Sequence, residues 1–234
     1  MNIKFILASS SPRRRELLSS IGLEFDVLPS NVPEVHREGE APEEYVARLS
    51  REKAEPLATA HPERWVIAAD TTVLLGEELL EKPVDPADAV RMLGLLAGQT
   101  HMVYTGVTLQ NVESGYRDTR VSESEVRILP LSAEDIEWYV GTGEPLDKAG
   151  SYAVHGIFAM FIESIHGSYT NVVGLPLATL FQMLRRAGID PLGKTVGGRQ
   201  SAVGSSAPSL SGEGGGPLPT ADRRLPTDDN GSDQ

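Results

Sequence analysis

The stretch from residue 7 to residue 18, LASSSPRRRELL, constrains this chain more than any other. An apolar run from Ile3 to Ala8 ends in three serines. A proline and three arginines follow, and then apolar residues return at helical spacing. That order predicts a buried strand delivering its end to the start of a helix. Ser11 is placed as the N-cap, Pro12 as the first helical residue and Gly22 as the stop. A helix start offers unpaired N–H groups and a partial positive charge, which suits an anion. Arg13 and Arg14 add guanidinium forks that match phosphate oxygens. Cations in a first turn oppose the helix dipole, and a bound phosphate would compensate them. The plainer alternative is a solvated basic turn with Glu16 as a partner.

Beyond that stretch, strand-like and helix-like segments alternate as far as residue 192. Strands are predicted at 3–8, 24–28, 65–69, 72–75, 101–110, 116–128 and 157–164. Helices are predicted at 12–21, 43–60, 86–97, 132–140 and 176–187. Asp85-Pro86 opens one helix, with Asp88 in its first turn and Gly98 after its end. Ser132 with Asp135 reads as a capping box, and Leu175-Pro176 opens the last helix. Pro56 should kink or end the second. The two long strands around Glu113–Gly115 read as an antiparallel hairpin, so the pattern predicts an α/β protein with a mixed sheet. Residues 1–192 form the expected domain. From 193 to 234 the chain is rich in Gly, Ser and Pro without apolar periodicity, and a disordered tail is expected.

The bulk numbers remove several classes. There are no cysteines among the 234 residues, so disulfides, thiolate catalysis and zinc–thiolate sites are excluded. A formal net charge of -12 argues against a nucleic-acid partner, whose backbone would be repelled. No run reaches the roughly 18 apolar residues of a membrane span. The first residues are too short an apolar run for a secretory signal, and a cytoplasmic protein is expected.

Three further segments carry candidate chemistry. In AADTTVLLGEELLEKPVD (68–85), an apolar strand runs into Asp70, Thr71 and Thr72. A carboxylate at a strand end serves as a metal ligand or general base, or merely as a turn former. A hairpin turn at Gly76-Glu77 would return Lys82 beside Asp70. Glu34 in NVPE (31–34) and Lys53 in LSREKAE (49–55) read by themselves as solvated charges. Residues 147–177 hold Gly150, Gly156, Gly167 and Gly174, a density that suits tight turns or backbone against a ligand. His155 lies among them, but the five histidines show no metal-ligand spacing. GIDPLGKT (188–195) matches a phosphate-loop pattern, yet a helix precedes it and no helix follows, which is the wrong context.

Together these blocks resemble the Maf family of nucleoside triphosphate pyrophosphatases. The matching segments are LASSSPRRRELL, the Glu34 and Lys53 neighbourhoods, AADTTV with EKP, DKAG, and GSYTNVVGLPL, spread over residues 3–186. The resemblance implies an elongated mixed β-sheet flanked by helices, with two lobes and a cleft, like the inosine triphosphate pyrophosphatases. A homodimer is implied as well. It also implies hydrolysis of a nucleoside triphosphate between the α and β phosphates, with Mg²⁺ or Mn²⁺. Asp70 matches the family's proton acceptor and Glu34 its acidic partner, both near the metal. Arg13, Lys53 and Lys82 match its basic positions, and Ser9, Arg13, Arg14, Thr71 and His155 stand as substrate contacts. Thr71, DKAG and GSY look like the subclass acting on dTTP and UTP, with modified pyrimidines as a further substrate to consider. That subclass normally has Gln where this chain has His155. The alternatives are a 7-methyl-GTP preference or a septum regulator acting by protein binding.

Overall fold

A computed structural model describes residues 5–191. The expected tail, and the end of the GIDPLGKT segment, lie outside the described residues. The described chain is an α/β fold around one mixed seven-stranded sheet. Its strands are β1 (Phe5–Leu7), β2 (Phe25–Val27), β3 (Trp65–Leu75), β4 (Glu78–Leu80), β5 (Thr100–Asn111), β6 (Tyr116–Ile128) and β7 (Ile162–Gly167). They run in the order β2-β1-β3-β5-β6-β7, with β4 on β3. β1 is parallel to both its neighbours, whereas β3–β5, β5–β6 and β6–β7 are antiparallel.

Six helices cover the sheet: α1 (Pro12–Ser20), α2 (Pro42–Ala60), α3 (Pro86–Leu96), α4 (Ala133–Gly141), α5 (Tyr169–Val173) and α6 (Leu177–Arg186). Their ends follow local chemistry. Ser11 caps α1, Asp85 caps α3, and Ser132 with Asp135 closes a full capping box on α4. Gly22 and Gly98 follow α1 and α3 at φ +73° and +69°, a backbone that only glycine adopts without strain. Pro56 does not end its helix: α2 runs through it to Ala60. Pro56 lies on the exposed side of the helix, while Tyr45, Val46, Leu49, Lys53, Ala54 and Ala58 bury the opposite stripe.

α2 covers one face, packing Ala54 and Ala58 on Ile6, Val66 and Ala68, and Tyr45, Val46 and Leu49 on Tyr104. The other face carries two separate cores. Leu18 of α1 and Leu180, Met183 and Leu184 of α6 cover Leu7, Ile67 and Leu109. Met92, Leu93 and Leu96 of α3, with Ile136 and Tyr139 of α4, cover Val73, Val103 and Val126.

Several predicted boundaries move. The strands predicted at 65–69 and 72–75 are one strand, β3, because β5 pairs with it continuously from Val66 to Leu74. Residues 157–161 form a 3-10 turn, and the strand begins only at Ile162. β4 is the return arm of the hairpin expected at Gly76-Glu77, while α5, at five residues, is too short for a periodic pattern.

His101 on β5 is 2% exposed, and its Nε2 lies 2.8 Å from the Tyr152 hydroxyl. Burial pushes its imidazole down to about 4. The unfolded chain therefore takes up a proton near pH 6.5 that the folded protein refuses until about pH 4. This contribution is fully present above pH 6.5 and is lost as the pH falls through that window, at roughly 3 kcal/mol. Urea unfolding at pH 7 and pH 4.5 should show the slope in the wild type and a much flatter one in His101→Gln. Equal slopes would assign the pH dependence to other groups.

Candidate active site

The long strand β3 creates the site. One edge is paired throughout by β5, but the other edge changes neighbour. β1 pairs with Trp65–Ile67 and then stops; β4 pairs only with Val73–Leu75. Between them, residues 68–72 have no strand on that edge among the described residues. A cleft of about 490 Å³ opens there, a size suited to a small-molecule ligand. Asp70 therefore sits in mid-strand, opposite Gly106 of β5, and not at a strand end as the sequence suggested. Successive side chains point to opposite faces, yet both Asp70 and Thr71 line the cleft because it wraps around the open edge.

On the α2 face, four charges form an alternating chain. Lys53 Nζ donates to Asp70 Oδ1 at 2.5 Å and to Glu34 Oε1 at 2.6 Å. Lys82 Nζ donates to Glu34 Oε2 at 2.8 Å. Asp70 and Lys53 are 8% and 7% exposed at their side chains, Glu34 39% and Lys82 56%, so the chain runs from core to solvent. Lys53 is thus not a solvated charge, whereas Glu34 stays exposed to water while both lysines hold it. Lys82 returns on the predicted hairpin, but its carboxylate partner is Glu34, while Lys53 takes Asp70. Burial works to raise the Glu34 carboxyl, but the hydrogen bonds from Lys53 and Lys82 outweigh it and hold it at about 2.

Across the edge, Arg14 ties three segments together. Its guanidinium donates to the Gly174 carbonyl at 2.7 Å, the Thr71 hydroxyl at 3.0 Å and the Ser9 hydroxyl at 3.3 Å. Burial lowers its guanidinium from the ordinary value, opposed by the charges of Asp70 and Glu34. All three partners are neutral, so Arg14 brings to the wall a positive charge that no carboxylate hydrogen-bonds. Arg13 reaches Asp147 at 3.3 Å, and Lys148 donates to the same carboxylate at 2.6 Å. His155 is exposed at the rim. Burial, Arg13 and Lys148 lower its imidazole, which favours the neutral ring.

Ser9, Arg13, Arg14, Glu34, Lys53, Asp70, Thr71, Lys82 and His155 all line this one cleft. Sequence reasoning missed several contributors, Asp147 among them. Glu81 lines it too and accepts the Tyr45 hydroxyl; its signal was only its place beside Lys82. Lys148 stood in DKAG without being singled out. Gly106 is another: a Cβ there would overlap the main chain of Val46 and Ala47. A lone glycine within a strand pattern is the available signal for such close approach. It lets α2, and with it Lys53, settle onto β3 and β5.

The net charge of the cleft is opposite to that of the chain. Arg13, Arg14, Lys53, Lys82 and Lys148 face Glu34, Asp70, Glu81 and Asp147. A locally positive groove in an acidic protein concentrates anions. Residues 4–187 match the family model described as Maf-like protein. The chain belongs to the Maf-like family. A dTTP/UTP pyrophosphatase from Koribacter versatilis is 47% identical over 191 residues, 81% of this chain and 97% of that protein. Another Maf-like relative, the dTTP/UTP pyrophosphatase of Anaeromyxobacter dehalogenans strain 2CP-C, is 50% identical over 187 residues, 79% of this chain and 94% of that protein. Among solved structures, a HAM1 protein from Coxiella burnetii superposes with a TM-score of 0.41 at 13% identity, covering 79% of this chain and 99% of that one. So loose an overlay carries no argument about this Maf-like chain.

Proposed function

We propose that this chain is a nucleoside triphosphate pyrophosphatase that converts dTTP and UTP to the monophosphate and pyrophosphate. The observation that carries the reading is the charge arrangement of the cleft. One buried carboxylate, Asp70, stands among five cations at the open edge of β3. Relatives named for that activity match nearly their whole length.

Cleavage of a phosphoanhydride needs a water stripped of its proton, a neutralised polyphosphate and a fixed geometry. Lys53 holds Asp70 by Oδ1 alone; among the described residues no hydrogen bond reaches Oδ2. That oxygen is the one available to take the proton of the attacking water. Arg13, Lys82 and Lys53 neutralise the phosphate chain, Arg14 keeps a charged wall behind it, and the start of α1 supplies N–H donors. Thr71 and His155, both lining the cleft, would read the base, a role that rests on the family resemblance.

A divalent ion fits the donor set. Glu34 and Asp70 are hard oxygen ligands bridged by one lysine, so their carboxylates are close neighbours. Among the described residues no group of three His, Cys, Asp or Glu side chains is arranged to hold a metal. Two carboxylates suit Mg²⁺ or Mn²⁺, which fill their shell with waters and substrate phosphates. When bound, the ion would neutralise phosphate oxygens and polarise the reacting phosphorus. A homodimer belongs to this reading through the family resemblance alone, and a cytoplasmic location through the sequence expectation. No described helix is long and apolar enough to cross a membrane.

The test is a triphosphate panel of dTTP, UTP, CTP and 7-methyl-GTP with Mg²⁺ and with Mn²⁺, followed by product analysis. We expect pyrophosphate with dTMP or UMP, and dTTP and UTP preferred. Orthophosphate with a nucleoside diphosphate would overturn the cleavage position. A preference for 7-methyl-GTP would overturn the substrate assignment, and no hydrolysis at all would favour a protein-binding role.

A further inference from the structure

We infer that Lys53 fills the cation position in the free protein, so that the divalent ion enters together with the nucleotide and not ahead of it. This rests on the proposed function and on Asp70 and Glu34 as the carboxylates that meet the ion. Lys53 Nζ lies 2.5 Å from Asp70 Oδ1 and 2.6 Å from Glu34 Oε1, between the two. Mg²⁺ takes carboxylate oxygens at about 2.0–2.1 Å. An ion bridging those same two oxygens would occupy the volume the ammonium now fills. The two cations exclude each other there. The lysine side chain is only 7% exposed, so it is packed into this place and not waving near it.

The surrounding charges point the same way. Five cationic side chains already face four carboxylates in the cleft. Adding a dication to that set, without an anion, sets like charges together in a partly desolvated groove. A triphosphate reverses the sign. Its oxygens also offer the Lys53 ammonium new acceptors, and a lysine's four-carbon stem can turn its three donors to meet them. The lysine that gives up Asp70 and Glu34 then neutralises the polyphosphate, and each carboxylate keeps a cationic partner throughout. Lys82 stays on the far oxygen of Glu34 and need not move. Lys53 is thereby both placeholder and phosphate contact, and metal affinity is coupled to nucleotide affinity.

The experiment titrates the full chain with Mn²⁺ and follows the free aquo ion by electron paramagnetic resonance. It is run alone and with the non-hydrolysable α,β-methylene analogue of dUTP. The wild type should hold Mn²⁺ at least about tenfold more tightly with the analogue than the protein and the analogue do separately. Lys53→Met should bind Mn²⁺ without nucleotide about tenfold more tightly than the wild type. Thermal melting checks that the variant folds, and Lys53→Gln serves if it does not. Equal Mn²⁺ affinity of the wild type with and without the analogue would overturn the inference. So would folded Lys53 variants that bind the bare ion no more tightly. Pyrophosphate release from dTTP by the wild type is scored separately. A chain that hydrolyses dTTP but fails the Mn²⁺ tests loses only the order of binding. A chain that passes them and hydrolyses nothing keeps the lysine–metal competition and loses the assigned reaction.

Discussion

Asp70→Asn is expected to lower turnover of dTTP by about 10³-fold while leaving the fold in place, since a positioned general base contributes about 10²–10⁴-fold. The amide keeps the size of the carboxylate, and its oxygen can still accept from Lys53. Lys53 itself is not stranded, because Glu34 remains 2.6 Å from its Nζ. The usual heavy penalty for deleting one member of a buried pair is therefore reduced. What disappears is the basic oxygen at the open edge of β3. Pyrophosphate release measured at saturating dTTP, beside circular dichroism and a melting curve, separates the two effects. Turnover comparable to the wild type in a folded variant would remove Asp70 from the base role.

Among the described glycines, Gly106→Ala should be the most damaging substitution. A Cβ at this position would overlap the backbone of Val46 and Ala47, which cannot rotate away as a side chain would. Overpacking of this kind costs about 3 kcal/mol. For a domain of this size that lowers the melting temperature by roughly 6–12 °C. The helix pushed outward is α2, which carries Lys53, so activity should fall with stability. Gly94 in α3 is the control: a Cβ there meets nothing within 4 Å, and alanine is favoured inside a helix by about 1 kcal/mol. Thermal and urea unfolding of both variants should give shifts of opposite sign. An unperturbed Gly106→Ala would mean that α2 does not rest on β5 at this point.

The predicted helix ends were read from contacts three or four residues apart. Ser11, Asp85 and Ser132 each satisfy a nearby backbone N–H, and the glycines after α1 and α3 accept a positive φ wherever the rest of the chain goes. The hairpin of β5 and β6 was legible for the same reason, its turn being local. Of the two outcomes expected at Pro56, the helix end is absent: α2 runs through it, with Pro56 on the water-facing side. The reading of β3 as two strands failed because only its pairing with β5 carries it through Asp70 and Thr71.

The site divides along the same line. Residue chemistry alone marked the basic start of α1, the Asp70 strand and the glycine-rich segment, and family resemblance singled out Glu34 and Lys53. Their electrostatic roles were decided by tertiary structure. Lys53 meets Asp70 across 17 positions and Glu34 across 19, and Lys82 meets Glu34 across 48. Local sequence determines conformations whose hydrogen bonds close within a turn. Which charge is buried against which, and where β3 is left open for a ligand, depends on packing between segments that no short-range pattern encodes.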